Sequence, residues 1–335
     1  QLTICEPAMG SAAFLNEAIN QLAEAYLDKK QKELGETISY EDRYKELQRV
    51  KMYIADRNVY GIDLNPVAVE LAEVSLWLNT IYKGAYVPWF GTQLVNGNSL
   101  IGVRKQCYRI EQLQSNRAPG RWYDNAPERI MPDCKRMPKK QVYHFLMGDP
   151  GMANYTDKVI KDLAKDEIKK IKDWNRKFTS AHNAEDVQTL LRLSAVIDDL
   201  WAKQVELRKT VDQQTKDALT VYGHKEDINA SHTTIREKDL IYRRLYKSEE
   251  MQNAGPYARL KFAMDYWCAL WFWPIDKADL LPSRSEFLFD MSLILEGGIV
   301  SVTKNKSGQL SLFPTEIDEM ANEVLELYKD LPEVD

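Results

Sequence analysis

The stretch "ICEPAMGSAAFL", residues 4–15, joins a short apolar run to a loop of small residues and then to a helical pattern. The run over residues 2–5 predicts a buried strand. Apolar residues then recur at every fourth position, which predicts a helix, at Phe14, Ala18, Leu22 and Tyr26. A strand that turns into a helix through small residues leaves unpaired backbone N–H groups near a ligand. The stretch therefore predicts a ligand-binding loop around Gly10.

Strand and helix alternate three times in the first hundred residues. We expect a helix near 41–56, a strand over 58–63, a helix over 65–82 with Pro66 in its first turn, and a third strand within 92–100. This alternation predicts a parallel α/β sheet.

Polar residues follow the second and third predicted strands. Asp63 ends "YGID", and in open α/β sheets a carboxylate at this place holds the ribose of a bound nucleotide. The alternative is that Asp63 caps the helix that begins at Pro66. Asn98, in "NGNSLIG", carries an amide that donates and accepts hydrogen bonds and suits a purine edge, although a plain Asn-Gly turn remains the alternative.

Three segments together resemble one family. "EPAMGSAAFLNEA" is similar to the "DPACGSGAFL" signature of S-adenosylmethionine-dependent DNA adenine-N6 methyltransferases, "GIDLNPVAVELA" to their ribose-binding motif and "GNSLIG" to their adenine-binding motif. The resemblance covers about residues 2 to 104 and points to the large methylases of restriction–modification and phage-defence systems. It implies a partial Rossmann-like class I methyltransferase fold, S-adenosyl-L-methionine as cofactor and DNA as substrate.

The same resemblance implies roles for single residues. Glu6 faces the amino-acid end of the cofactor, Asp63 holds the ribose and Asn98 the adenine. The other cofactor-binding residues that it implies are Ala8, Met9, Gly10, Leu64, Ser99 and Leu100. Ala12 occupies a Gly position of the signature, which predicts a narrower loop.

N6 methylation in that family needs a fourth motif, (N/D)PP(Y/F/W), which no tetrapeptide of the chain matches. Its aromatic residue stacks on a flipped base. The nearest stretch is "VYHFLMGDPGMANY" (142–155), in which Asp149 is the candidate catalytic residue, Met152 replaces the aromatic and Tyr155 is the next aromatic in the chain. The alternative is that Asp149 is a turn residue. We therefore expect a fragment that binds the cofactor without transferring methyl by itself.

Residues 104–140 carry ten basic and four acidic residues and four prolines, and we expect an irregular surface segment. The alternatives for it are a solvated loop and a surface that contacts phosphates. The candidate DNA phosphate contacts are Arg117, Arg121, Lys139 and Lys140.

The pattern changes after residue 104, and we expect three parts. Residues 1–104 form the S-adenosylmethionine-binding half, 105–155 a basic Pro-rich connecting segment, and 156–335 a mainly helical insertion or second region with a hairpin over 299–314. A heptad stripe in the third part predicts a helical hairpin or short coiled coil, at Leu190, Leu193, Ile197, Leu200, Leu207 and Val211. "MDYWCALWFWP" (264–274) predicts a core helix that ends at Pro274.

Other classes of protein find little support. No apolar run reaches the roughly 20 residues that span a bilayer. The four cysteines lack CxxC spacing, as expected for reduced thiols in a cytoplasmic protein, and the four histidines lack metal or triad spacing. Two further functions stay open: a non-catalytic nucleic-acid-binding or assembly module with a degenerate methyltransferase fold, and a methyltransferase acting on RNA or protein. Restriction or defence subunits are the further partners expected.

Overall fold

The computed structural model of the chain describes residues 2–85, 87–114, 121–131, 134–224, 233–248, 251 and 254–297. The fold is mixed α/β. Its first part is a parallel three-stranded sheet in the order β1-β2-β3, formed by Ile4–Glu6, Val59–Asp63 and Leu94–Asn96. Helices α1 (Ala13–Leu34) and α2 (Tyr40–Asn58) connect β1 to β2, and α3 (Pro66–Thr80) connects β2 to β3. The predicted strand–helix alternation is confirmed.

The helix predicted from the apolar row at Phe14, Ala18, Leu22 and Tyr26 is confirmed as α1. Its buried side chains, however, are Leu15, Ile19, Ala23 and Leu27. This row lies one residue beyond the row that indicated the helix, and Phe14 is 78% exposed. The two rows are both apolar and adjacent on the helix, so that packing against the sheet and α2, rather than periodicity, selects the buried one.

The basic segment contains a second sheet, so the expectation of an irregular segment is wrong in part. Strands β4 (Gln106–Arg109), β5 (Glu128–Arg129) and β6 (Gln141–Tyr143) pair antiparallel in the order β5-β4-β6. The sheet forms because apolar side chains bury both of its faces, Cys107 and Tyr143 on one face and Tyr108 and Val142 on the other.

The remaining elements are helical, as predicted for the described part of 156–250. They are α4 (Lys158–Leu163), α5 (Lys165–Phe178), α6 (Ala184–Thr215), α7 (Ile235–Tyr246), α8 (Pro256–Ala269) and α9 (Arg284–Glu296). The heptad stripe of α6 is buried at most of its positions, but it packs on β6, α7, α8 and α9 rather than on one partner helix. The hairpin or coiled-coil expectation is therefore too simple.

Helix α8 ends at Ala269, five residues before the predicted stop at Pro274. A proline disfavours helical conformation in the residue before it, and Trp273 already donates its indole N–H to the carbonyl of Lys277 at 2.8 Å. The predicted hairpin over 299–314 lies outside the described residues.

Two large hydrophobic cores occupy the described part of the chain. One lies between the parallel sheet and α1–α3, and the other between the antiparallel sheet and α6, α8 and α9. Later residues also reach the first core: Val221 packs into it, and Arg57 donates to the carbonyl of Asp217 at 2.6 Å. The three-part division of the chain remains a prediction.

None of the described helices combines the length and the apolar character that crossing a bilayer requires. All four cysteines are free thiols.

Candidate functional site

The strand ends of the parallel sheet bring three loops together: residues 6–12, 63–65 and 96–101. We call this surface the strand-end edge. The backbone N–H of Gly10 donates to Oδ2 of Asp63 at 2.8 Å, and the N–H of Met9 donates to the carbonyl of Ile62 at 3.1 Å. These bonds join the loop after β1 to the end of β2, because adjacent parallel strands end at the same edge.

The carboxylate of Asp63 connects the loops. Its Oδ1 accepts the N–H of Asn65 at 2.9 Å, and these backbone hydrogen bonds, from Asn65 first and then Gly10, lower the pKa of Asp63. The alternative that Asp63 caps α3 is wrong, because Asn65 is the N-cap and accepts from the N–H of Val67. Each oxygen of Asp63 keeps a second lone pair for a ligand.

The loop after β1 contains two left-handed residues, Gly10 (φ 52°) and Ala12 (φ 65°). A Cβ placed on Gly10 would meet no atom within 4 Å, so that the backbone there is open to a ligand. The side chain of Ala12 is fully buried in the core beside α1. The expectation that Ala12 narrows the loop is therefore wrong, because its methyl group points into the protein.

Glu6 ends β1 and is half-buried at the strand-end edge. Burial raises the pKa of its carboxyl, and a backbone hydrogen bond from Leu15 opposes the shift. Its Oε2 accepts no hydrogen bond within the described part of the chain. Ala8 and Met9 follow it in the loop, and Met9 is buried under the sheet.

The loop after β3 completes the edge. Oδ1 of Asn98 accepts the N–H groups of Leu100 and Ile101 at 2.9 and 3.1 Å. Only the Nδ2 amide therefore remains for a base edge. Leu64 and Leu100 are 69% and 94% exposed, and Ser99 is exposed between Asn98 and Leu100.

Sequence reasoning missed Asn96. Its Nδ2 donates to the carbonyls of Asp63 and Leu64 at 3.1 and 2.9 Å and fixes the loop after β2. Its position at the last residue of β3, directly opposite Asp63 in the parallel register, is the signal that could have found it.

Asp149 lies in the wall of a cleft of about 270 Å³ that no residue of the strand-end edge lines and that we call the Asp149 cleft. Oδ1 of Asp149 accepts the N–H of Gly151 at 2.8 Å. Burial raises the pKa of Asp149, and this hydrogen bond opposes the shift. Three aromatic side chains also line the cleft, Tyr108, Trp122 and Trp267. Arg104 and His144 line it as well.

The aromatic residues of the cleft are held by the core. The indole N–H groups of Trp122 and Trp267 donate to the carbonyls of Thr179 and Met147 at 3.2 and 2.8 Å, and the two residues are only 1% and 8% exposed, so they form the floor of the cleft. Burial and the nearby charge of Asp149 raise the pKa of Tyr108 to about 12. The phenol is therefore protonated at neutral pH.

His144, expected to be structural or exposed, borders this cleft. Its Nδ1 lies 3.1 Å from the carbonyl of Gln106, and since a carbonyl only accepts, Nδ1 carries the proton. Burial lowers the pKa of His144, so the imidazole is neutral at pH 7 with Nε2 as an acceptor. His182 is buried, His224 bridges to Val221, and His232 lies outside the described residues. No group of three metal-ligating side chains occurs within the described ranges.

Tyr155 does not take the place of the missing stacking aromatic. Its hydroxyl donates to the carbonyl of Trp273, and its ring packs in a small cluster with Ile171 and Ala278. Met152 is buried. No aromatic side chain that follows Asp149 as closely as in (N/D)PP(Y/F/W) faces the Asp149 cleft.

The predicted phosphate contacts are in different surroundings. Lys139 and Lys140 are exposed in the turn before β6, Arg121 pairs with Asp124 at 3.1 Å, and Arg117 lies outside the described residues. Arg136, one of the ten basic residues, is buried and pairs with Asp198 at 2.5 Å. The hypothesis that all ten face phosphates is wrong for Arg136.

The edge and the cleft are close along the chain. Asn98 belongs to the edge and Gly102 lines the Asp149 cleft, and four residues of chain span at most about 14 Å. No protein-family model, curated protein or solved structure matches the chain.

Proposed function

We propose that the strand-end edge binds S-adenosyl-L-methionine and that the chain is part of a DNA adenine-N6 methyltransferase of a restriction–modification or phage-defence system. The observation that carries the proposal is the hydrogen bond from the N–H of Gly10 to Asp63, which joins two of the three motif loops. Asn96 joins the third loop to the same carboxylate-bearing turn. The parallel order β1-β2-β3 with its connecting helices is compatible with one half of a Rossmann-like class I methyltransferase fold.

The residues of the edge fit this cofactor. The open backbone at Gly10 accommodates the methionine portion, and the unpartnered carboxylate oxygen of Glu6 suits its ammonium group. Asp63 carries lone pairs for the ribose hydroxyls, and the exposed side chains of Leu64 and Leu100 offer apolar contact to an adenine ring.

The proposed chemistry assigns separate work to the two sites. S-adenosyl-L-methionine, when bound, supplies a methyl group on a positively charged sulfur. The edge holds and orients it through Asp63 and the loop at Gly10. Oδ2 of Asp149, which accepts no hydrogen bond from any described residue, would accept one from the exocyclic amine of a base. Trp122, Trp267 and Tyr108 would exclude water around that amine.

Calorimetric titration of the 335-residue chain with S-adenosyl-L-methionine tests the proposal. The variant Asp63→Ala removes a charged acceptor for the ribose and should weaken binding roughly 10- to 150-fold. Glu70→Ala removes an exposed acid from α3 outside the edge and should leave the affinity unchanged. Absence of binding to the unmodified chain at millimolar cofactor, or equal affinities of the two variants, would contradict the site.

A second candidate function is a nucleic-acid-binding or assembly module that retains the fold without catalysis. The observation that favours it is the turn after Asp149, where Met152 is buried and Tyr155 is bound to Trp273, so that the usual stacking aromatic is missing. Cofactor affinity separates the two functions, because neither requires this chain to transfer methyl by itself. Binding of S-adenosyl-L-methionine that Asp63→Ala weakens supports the enzyme, and salt-sensitive DNA binding without detectable cofactor binding supports the module.

A further inference from the structure

A second cleft, of about 510 Å³, lies beside the Asp149 cleft, and we call it the cationic cleft. Arg121 lines one part of it, and Lys172 and Arg176 of α5 line another. No aspartate or glutamate is among the described residues that line it. Three cations without a lining carboxylate make this cleft attractive to anions.

The cations are accessible. Lys172 and Arg176 are exposed and four residues apart, so they share one face of α5. Arg176 contacts Asp173 at 3.0 Å and Arg121 contacts Asp124 at 3.1 Å, both at the surface. Surface ion pairs contribute little free energy, and a guanidinium binds phosphate in the same forked geometry as carboxylate. A phosphate can therefore replace either carboxylate.

The two clefts share a wall. Arg121 and Tyr123 line the cationic cleft, whereas Trp122, between them in sequence, lines the Asp149 cleft. In the same way, Pro150 lines the cationic cleft, whereas its neighbour Asp149 lines the Asp149 cleft. The guanidinium of Arg121 lies 4.7 Å from the ring centre of Tyr123. A ligand long enough to cross this wall contacts the cations and the half-buried ring of Tyr123 on one side and Asp149 on the other.

We propose that the cationic cleft binds phosphates of a single polynucleotide strand, next to the base that enters the Asp149 cleft. The inference rests on the proposed function, because a base must leave its duplex to reach an enclosed amine acceptor. Cations beside aromatic side chains are the combination with which proteins bind single strands. A phosphorylated protein segment would use the cations but would bring no base to stack on the half-buried ring of Tyr123.

The test is fluorescence anisotropy of a labelled single-stranded DNA oligonucleotide with the full chain, without cofactor. The double variant Lys172→Glu/Arg176→Glu should lose about tenfold or more in affinity at 0.1 M salt, and the slope of log affinity against log salt should fall by about 1.4, since each single-strand phosphate contact contributes about 0.7. The matched control is Lys165→Glu/Lys169→Glu, which makes the same charge change on exposed positions of α5 outside the cleft. It should change the affinity much less.

Equal losses in both double variants, or no loss in the first, would overturn the proposal. Competition gives a second test: an unlabelled RNA or DNA strand should displace the probe, and displacement by a phosphoserine peptide of equal charge at the same concentration would overturn nucleic-acid binding. Titration with S-adenosyl-L-methionine keeps the two proposals apart. The cleft variants should retain cofactor affinity, and Asp63→Ala should retain oligonucleotide affinity, so either site can fail alone.

Discussion

The strand-end edge and the Asp149 cleft use polar residues in opposite ways. At the edge, Asp63 and Asn98 are near the surface, where Asp63 accepts from the N–H of Gly10 in a neighbouring loop and Asn98 from the N–H of Leu100 in its own. Behind the cleft, His182 is buried, and the half-buried Asp198 pairs with a buried guanidinium. The polar groups of the edge therefore order loops, whereas those behind the cleft hold core elements together.

The largest expected effect concerns the ion pair behind the cleft. Asp198 accepts from the buried guanidinium of Arg136 at 2.5 Å and from the hydroxyl of Tyr143 at 2.9 Å. The variant Asp198→Ala removes the carboxylate partner of a buried guanidinium, which keeps its hydrogen bonds to the carbonyls of Pro138 and Gln141, and should lower the free energy of unfolding by about 2–4 kcal/mol in urea denaturation. Asp199→Ala, the adjacent residue on α6, breaks only the exposed pair with Lys203 and should cost about 0.5 kcal/mol or less.

Similar losses in the two variants would remove the distinction between surface and core charges on α6. The variant Asp63→Ala tests the strand-end edge in the same comparison. It should weaken cofactor binding and, because it removes only hydrogen bonds to solvent-accessible loop N–H groups, lower the free energy of unfolding less than Asp198→Ala does.

The second prediction concerns acid. His182 packs near Trp122 of the Asp149 cleft, with ring centres 6.0 Å apart. Burial, and then the charge of Arg284, lower the pKa of His182 to about 4. The unfolded chain therefore binds the proton more readily between about pH 4 and 6.5, and stability that is complete above pH 6.5 is lost as the pH falls through this window.

Between pH 7.5 and 5.0 this histidine should account for about 2 kcal/mol of lost stability. The variant His182→Phe has no titrating group at this position. Between pH 7.5 and 5.0 its free energy of unfolding should therefore fall by about 2 kcal/mol less than that of the unmodified chain. The comparison uses the change with pH within each protein and is insensitive to a constant packing difference. A parallel decline of the two proteins would show that His182 accepts its proton without cost in the folded state.

The smallest effect belongs to the strand-end edge. Ala12 has a left-handed backbone conformation, which costs a residue with a Cβ about 1–2 kcal/mol. The variant Ala12→Gly removes that cost but also removes a buried methyl group that contributes about 0.8 kcal/mol. We expect a net gain of less than about 1 kcal/mol in thermal or urea unfolding. Ala23→Gly, fully buried in the interior of the same helix, should destabilise by about 1 kcal/mol or more. Changes of the same sign would show that the backbone conformation at Ala12 is not strained.

Much of the strand-end edge could be predicted, since its parts are close in sequence or follow consecutive strands. A loop of small residues, an acid at the end of β2 and an Asn after β3 all appear in the printed chain. Asn96 was missed because its two hydrogen bonds go to backbone carbonyls of another loop, and a sequence pattern of side chains does not record them.

The alternation of strands and helices and the loops at the strand ends followed from local sequence, because propensity and unpaired backbone groups act over a few residues. Only the tertiary structure decided which row of α1 is buried and that Arg136 lies in the core instead of on a phosphate-binding surface. It also decided that residues 102–149 and Trp267 enclose one cleft. Those outcomes depend on packing between segments that are distant in the chain, by 62 residues for Arg136 and Asp198 and by 120 for Trp267 and Met147, where many sequences of equal local pattern pack differently.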